Sequence, residues 1–177
     1  MQVVVTGAGG RTGGLVAKKL IERKESYDFV GIVRSEEGAE KLREFGACED
    51  SIVVGDILSD DGADVLASAF EGADRLVICT SAVPKIKPLS LIPVFLAKLF
   101  RKEGVRPKFT FKKDQMPEQI DWLGQKLQID IAKKAGVEKC VLVGSMGGTD
   151  RSNFLNTIGD GNILVSVQKW SLKGFVD

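Results

Sequence analysis

The chain opens on MQVVVTGAGGRTGGLVAKKL, a short apolar run followed by five glycines within eight residues. After the glycines, Val16, Ala17, Leu20 and Ile21 recur at helical spacing. Few features limit a fold more. A run of β-branched residues suits a buried strand, and the glycines suit a tight turn. The chain therefore begins as strand, turn and amphipathic helix.

The alternation recurs along the chain. FVGIVR, SIVVGDI, RLVICTSAV and KCVLVGS are four further apolar runs. Between them, SEEGAEKLREFG carries acids in its first turn, bases near its end and Gly46 as a stop. DDGADVLASAFEG places Val65, Leu66, Ala69 and Phe70 on one helical face. Pro117 suits the first turn of a long helix bearing Ile120, Leu123, Leu127 and Ile131 and ending at Gly136. The runs are near-continuously apolar, which fits parallel strands covered by helices on both faces. The expectation is an α/β fold, a doubly wound parallel sheet truncated after about five strands, in a single domain over 1–177. Residues 84–116 read as a long irregular connection.

Composition narrows the partners. The 177 residues are 44% apolar and 28% charged, with a net charge of +1, which gives no global field for nucleic acid. No histidine occurs, so His-based triads and the commonest zinc ligand are excluded, and no metal site is expected. Cys48, Cys79 and Cys140 lack paired spacing; Cys79 and Cys140 lie in apolar runs, and the three read as reduced core thiols of an intracellular protein. No signal peptide precedes the first run, and PLSLIPVFLAKLF is too short to span a bilayer.

The glycines point to a ligand. Gly7, Gly10 and Gly13 fall three apart, with Gly9 and Gly14 beside them. In a turn that holds a dinucleotide, Gly7 allows the sharp bend. Gly10 lets the backbone approach a pyrophosphate, and Gly13 lets the helix pack close to the sheet. The helix start, with Arg11 and Thr12, offers unpaired N–H groups and partial positive charge to phosphates. A ligand-free turn would use the same glycines. The strand before them, the helix after them and the βαβ series that follows favour the dinucleotide.

The end of the second strand selects the cofactor. An acid there would accept from a ribose 2′-OH; this chain has Arg34 and Ser35. A guanidinium suits a 2′-phosphate, and Arg11 could clamp the same group. Such bonds contribute about 1.5–3 kcal/mol, a preference for NADP over NAD of roughly tenfold to a hundredfold. An ordinary surface arginine at a helix start is the competing reading. Asp56 and Ile57 end the third run, either bordering an adenine or closing a turn. Thr80, Ser81, Ala82 and Val83 end the fourth, where a nicotinamide ribose should lie. Ser145 ends the fifth, near where a hydride acceptor would sit.

Together TGAGGRTG, VRS, GDI, TSAVPK, PEQIDWLGQK, AGVEKCVLVGSMGG and GNILV resemble the atypical short-chain dehydrogenase/reductases. The likeness is to plant NAD(P)-binding Rossmann proteins of the NmrA-like branch, over 2–88 and 107–165. It implies an oxidoreductase binding NADP(H) through Gly7, Gly10, Arg11, Gly13, Arg34, Asp56, Ile57 and the Thr80–Val83 stretch. Three departures stand out. LSLIPVFLAKLFRKEGVR looks inserted; Leu127 stands where relatives often carry Asn; and the likeness fades after Val165, so that 166–177 is a divergent tail. The chain looks like a shortened member, less stable than a full one or prone to self-association.

Short-chain reductases typically use a Tyr with a Lys four residues on, near a Ser. The single tyrosine, Tyr27, precedes the second strand and reads as structural. Ser145 and Lys169 are the candidate catalytic residues, Lys169 reaching a nicotinamide ribose or else lying solvated in the tail. An NADP-dependent reductase with an unknown small-molecule substrate and a catalytically silent NADP-binding regulator or scaffold both fit. A third function class rests on the loop 89–113. KLFRKEGVRPKFTFKK has seven basic residues and one acid beside an apolar segment. It reads as a membrane-surface or protein contact, or as a solvated loop. The expected compartment is cytoplasmic, with chloroplast as the alternative.

Overall fold

The computed structural model describes residues 1–102, 104–107, 109–113 and 115–144. Its apolar runs pair as parallel strands. β1 (Gln2–Thr6) takes the centre, β2 (Asp28–Val33) and β3 (Ile52–Val54) extend one side, and β4 (Arg75–Ile78) and β7 (Lys139–Leu142) the other. The order is β3-β2-β1-β4-β7, so the direction of winding reverses between β1 and β4. Val5 stands opposite Gly31 on β2 and Val77 on β4.

Residue alternation feeds two cores, one on each face. Val4, Ile32, Leu76 and Ile78 pack with Leu66 and Phe70 of α3 (Gly62–Phe70) and with Ile129 and Ala132 of α5 (Gln125–Lys134). Val3, Val5, Phe29 and Val33 pack with Ala17 of α1 (Arg11–Ile21) and with Ala39 and Leu42 of α2 (Glu36–Glu44). Each large apolar side chain withdrawn from water in this way contributes about 1.5–3 kcal/mol. Tyr27 packs at the margin of the second core.

Three expectations need correction. The stretch 84–116 is not wholly irregular. It holds two short antiparallel strands, β5 (Lys85–Ile86) and β6 (Phe109–Thr110), and between them the helix α4 (Leu91–Leu99). Pro93 stands in the first turn of α4, where a missing N–H costs nothing. The helix after Pro117 buries the face its spacing suggests at Ile120, Leu127 and Ile131 but not at Leu123. Residues Glu118–Gly124 are wound as a π-helix before α5 begins. Ile120 is buried and Leu123 is exposed, while Gln125 and Gln128 turn inward. The wider winding carries one residue more per turn and rotates the apolar stripe. Nor are all the cysteines in the core. Cys79 is half-buried, but Cys48 and Cys140 are exposed, Cys140 on the outer strand β7.

Candidate cofactor site

The strand ends at the reversal point build the site. At the end of β1 the backbone of Gly7 takes a φ of +68°, which lets the chain turn at once toward α1. A Cβ on Gly7 would stand 2.9 Å from the backbone of Cys79, so the turn lies directly against the end of β4. Gly13 is constrained more severely: its Cβ would stand 2.1 Å from the Gly7 carbonyl oxygen. The first turn of α1 is folded onto the glycine turn itself, and only a missing side chain permits it.

α1 is left uncapped. Its N-cap is Gly10, no side chain accepts from the first turn, and that turn has no acidic residue. The first N–H groups of a helix have no intrahelical acceptor, and here no group among the described residues stands in. Arg11 and Thr12 are exposed and Gly13 is buried beneath them. α2 contrasts with this. Ser35 accepts from the Gly38 N–H at 3.4 Å, and Glu36 and Glu37 fill the first turn. The start of α2 leans on the glycine turn, since a Cβ on Gly9 would stand 2.8 Å from the Gly38 Cα.

The arginines divide in the same way. Arg43 on α2 holds Glu49 at 2.8 Å, Glu36 at 2.5 Å and Glu40 at 3.1 Å. Those carboxylates hold Arg43 above its ordinary range, and Arg43 holds Glu49 below the usual carboxylate range. Arg75 is paired with Glu138 at 2.5 Å. Arg11 and Arg34, beside the glycine turn and at the end of β2, are exposed and form no ion pair among the described residues.

The opposite wall is made of side chains. Gln128 on α5 is fully buried and satisfied on every polar atom. Its Oε1 accepts from Thr6 Oγ1 at 2.6 Å, and its Nε2 donates to Thr80 Oγ1 at 3.1 Å and to the Gly124 carbonyl at 2.9 Å. One side chain thus ties the end of β1 to the end of β4. Gln125 donates to the Thr80 carbonyl at 3.4 Å. Asp121, one turn earlier, accepts from the Ala82 N–H at 3.2 and 3.3 Å and from the Ser81 hydroxyl. Burial pushes the Asp121 carboxyl up from its ordinary range, against those two donors. Asp121, Gln125 and Gln128 therefore grip residues 80–82 in succession. Their spacing of four and three was visible in the sequence as polar residues on one helical face, hidden by the expected Leu123 stripe. Thr6, at the end of the first apolar run, gave no such sign.

The remaining candidates stand near strand ends. Asp56 Oδ1 accepts from the Leu58 N–H at 3.1 Å and closes the turn after β3. The Ile57 side chain packs in the core cluster shared with α3 and α5. Val83 is exposed beyond Ala82. Gly7, Gly10, Arg11, Gly13, Arg34 and Thr80–Val83 all follow the C-terminal ends of β1, β2 and β4 or open the next helix. Ser145 and Lys169 lie outside the described residues. Among the described residues no cluster of His, Cys, Asp or Glu could hold a metal ion. The donor set fits a nicotinamide dinucleotide: bare N–H groups on a cradle that a Cβ would fill, and two guanidiniums without carboxylates. Open α/β sheets bind such ligands at this reversal point.

Comparison with known proteins agrees. A family model described as NAD(P)H-binding matches residues 7–169. An uncharacterized chloroplastic protein of Arabidopsis thaliana is 50% identical over 169 residues, covering 96% of this chain and 47% of its own length. Sanguinarine reductase of Eschscholzia californica is 45% identical over 177 residues, covering 96% of this chain and 62% of its own length. The chain thus spans about half to three-fifths of the curated relatives it matches. An NADPH-dependent quinone oxidoreductase of Escherichia coli in complex with NADPH superposes with a TM-score of 0.53 at 16% identity, covering 97% of this chain and 45% of the other. A UDP-glucuronic acid 4-epimerase of Bacillus cereus in complex with NAD gives 0.55 at 14% identity, over 86% and 42%. These structural likenesses show a shared Rossmann fold. A glycine turn at the reversal of a parallel sheet, matched over most of its length, makes this chain a member of the NAD(P)H-binding family.

Proposed function

We propose that the chain is the NADP(H)-binding part of an oxidoreductase acting on a small molecule. The observation that carries the reading is the uncapped start of α1, seated on the Gly7–Gly13 turn and flanked by Arg11 and Arg34 without carboxylate partners. In this reading the N–H groups of α1 and its dipole bind the diphosphate. Arg34, with Arg11 beside the turn, binds the 2′-phosphate, while Asp56 and Ile57 border the adenine. The Thr80 hydroxyl already accepts from Gln128 and keeps its hydrogen to donate to a ribose oxygen. Asp121 fixes Ser81 and Ala82 along the same ribose. When bound, the nicotinamide supplies the hydride chemistry. Ser145 and Lys169 are assigned to the substrate side, Ser145 to hold a carbonyl oxygen and Lys169 to hold the ribose. The reductase relative supports the reaction class, and the chloroplastic relative favours the plastid over the cytosol.

A second reading is a catalytically silent NADP-binding protein. It is favoured by Tyr27, which packs against the core before β2, remote from the strand ends where the site is built. Two measurements decide between the readings. Thermal shift with NADPH, NADH and neither tests the pocket, and a larger shift with NADPH is expected. NADPH oxidation with a panel of quinones, carbonyls and aromatic iminium ions tests the chemistry. Turnover of one class is expected; binding without turnover of any would establish the silent reading, and equal shifts with both nucleotides would defeat the NADP assignment.

A further inference from the structure

α4 is the one described helix that turns large apolar side chains outward along its length. Leu91, Ile92, Phe95, Leu96, Leu99 and Phe100 are all exposed, Phe95 by 72% and Leu99 by 68%. Of its nine residues only Ala97 is buried. Among the described residues, α4 packs appreciably on the adjoining turn Pro88–Ser90 and on no other helix or strand to a comparable extent. Contiguous apolar surface of this kind marks an interaction site.

The charges around it identify the partner. Between residues 85 and 113 the sequence has nine Lys and Arg against one Glu, in a chain whose net charge is +1. The rest of the chain is therefore net negative, and the positive excess is confined to the segment that bears the apolar helix. Lys85, Lys87, Lys98, Arg101, Lys102 and Arg106 are exposed, and none is ion-paired among the described residues. α2 shows what an ordinary water-facing helix of this protein does instead, with Lys41 and Arg43 held by its own glutamates. The end of α4 adds a third observation. Lys102 N–H donates to the Ala97 carbonyl at 2.8 Å, and Arg101 takes a φ of 53°, a left-handed position that favours glycine. The helix is closed by a strained arginine next to a lysine. Flanking α4 in the chain, the β5–β6 ribbon repeats the mixture, with Ile86 opposite Phe109, both exposed, next to Lys85 and Lys87.

We propose that α4 and the β5–β6 ribbon dock this protein on an anionic lipid surface. The apolar side chains of α4 enter the boundary between headgroups and acyl chains, and the surrounding Lys and Arg meet the headgroup phosphates. A second copy of the chain is a poorer occupant. A two-fold contact through this face would set each basic segment against its own likeness. An acidic protein groove would meet the same charges, and failure to float with anionic vesicles would favour it. No described helix is long and apolar enough to cross a membrane, so the contact is peripheral.

The test is flotation of the full chain with vesicles of phosphatidylcholine alone and with 30% phosphatidylglycerol, with NADPH affinity as the measure of intact folding. The protein is expected to float with the anionic vesicles at low salt and to be released at high salt. Lys98→Gln, Arg101→Gln and Lys102→Gln combined should lower the partition coefficient by roughly a hundredfold. Phe95→Ser with Leu99→Ser should abolish flotation, NADPH affinity being unchanged in both. Failure to float, or equal flotation with neutral vesicles, overturns the proposal. So does a dimer in sedimentation that the Phe95 and Leu99 changes dissolve. Slow maleimide labelling of Phe95→Cys in vesicle-free protein overturns it too, by showing that protein already covers the face.

Discussion

The two walls of the candidate site are built by opposite means. The β1–α1 wall is bare backbone: its glycines bring chain against chain, and its N–H groups are left open. The β4–α5 wall is a buried side-chain network in which Thr6, Thr80 and Gln128 satisfy one another. The first wall is specified by what is missing and tolerates no addition. The second is specified by hydrogen-bond partners and tolerates no subtraction.

Substitutions can break or sharpen that contrast. The largest effect is expected from Gly13→Val. Its Cβ would meet the Gly7 carbonyl oxygen at 2.1 Å, so the helix must move off the turn. Loss of more than about 3 kcal/mol in urea unfolding and loss of NADPH binding are expected. Retained affinity would show that the turn has slack. Next comes Gln128→Leu, which leaves the buried Thr6 hydroxyl and the half-buried Thr80 hydroxyl without their partner and should cost about 2–4 kcal/mol. Adding Thr6→Val to it removes one orphaned group, so the double variant should be no less stable than the single one. Additive losses in the cycle would mean the network is a set of independent contacts.

Arg34→Ala touches neither wall's packing. It should leave stability unchanged and lower the NADPH preference over NADH by roughly tenfold to a hundredfold in titrations of both cofactors. The smallest effect belongs to Asp121→Asn, which keeps an acceptor for the Ala82 N–H. Burial raises the Asp121 carboxyl, so the folded chain keeps its proton at pH values where the unfolded chain has lost it. Stability from this group is full below the unfolded value, about 3.9, and falls as pH rises through the folded one. Asn removes that fall and should change stability at neutral pH by under about 1 kcal/mol. An unaltered pH profile above about 4 would show that Asp121 is not the titrating group.

The bare wall was legible in the sequence because glycine spacing and a continuous apolar run each have few structural meanings. Gly7, Gly10 and Gly13 fall where their spacing places them, and α2 ends before Gly46 as expected. The other wall was not legible. Its helix begins with a π-wound stretch, and a 3.6-residue period assigns Leu123 to the core when it is exposed. Buried glutamines also carry no mark in a sequence, because only their partners in space distinguish them from surface residues. α4 was hidden for a related reason: an apolar helix that stays outside breaks the rule by which helices are recognised in a connection. Cys140 is exposed on β7, the outermost strand among the described residues, a position that the apolar run alone does not show.

Gln128 has a mechanical consequence. A single amide joins Thr6 to Thr80 at the end of the paired strands β1 and β4 and so holds Thr80 against the sheet. Adaptation to ligands of different size is thereby confined to the chain downstream of Thr80. Relaxation-dispersion spectra should accordingly find a quiet floor and register millisecond exchange only in the segment that leaves it.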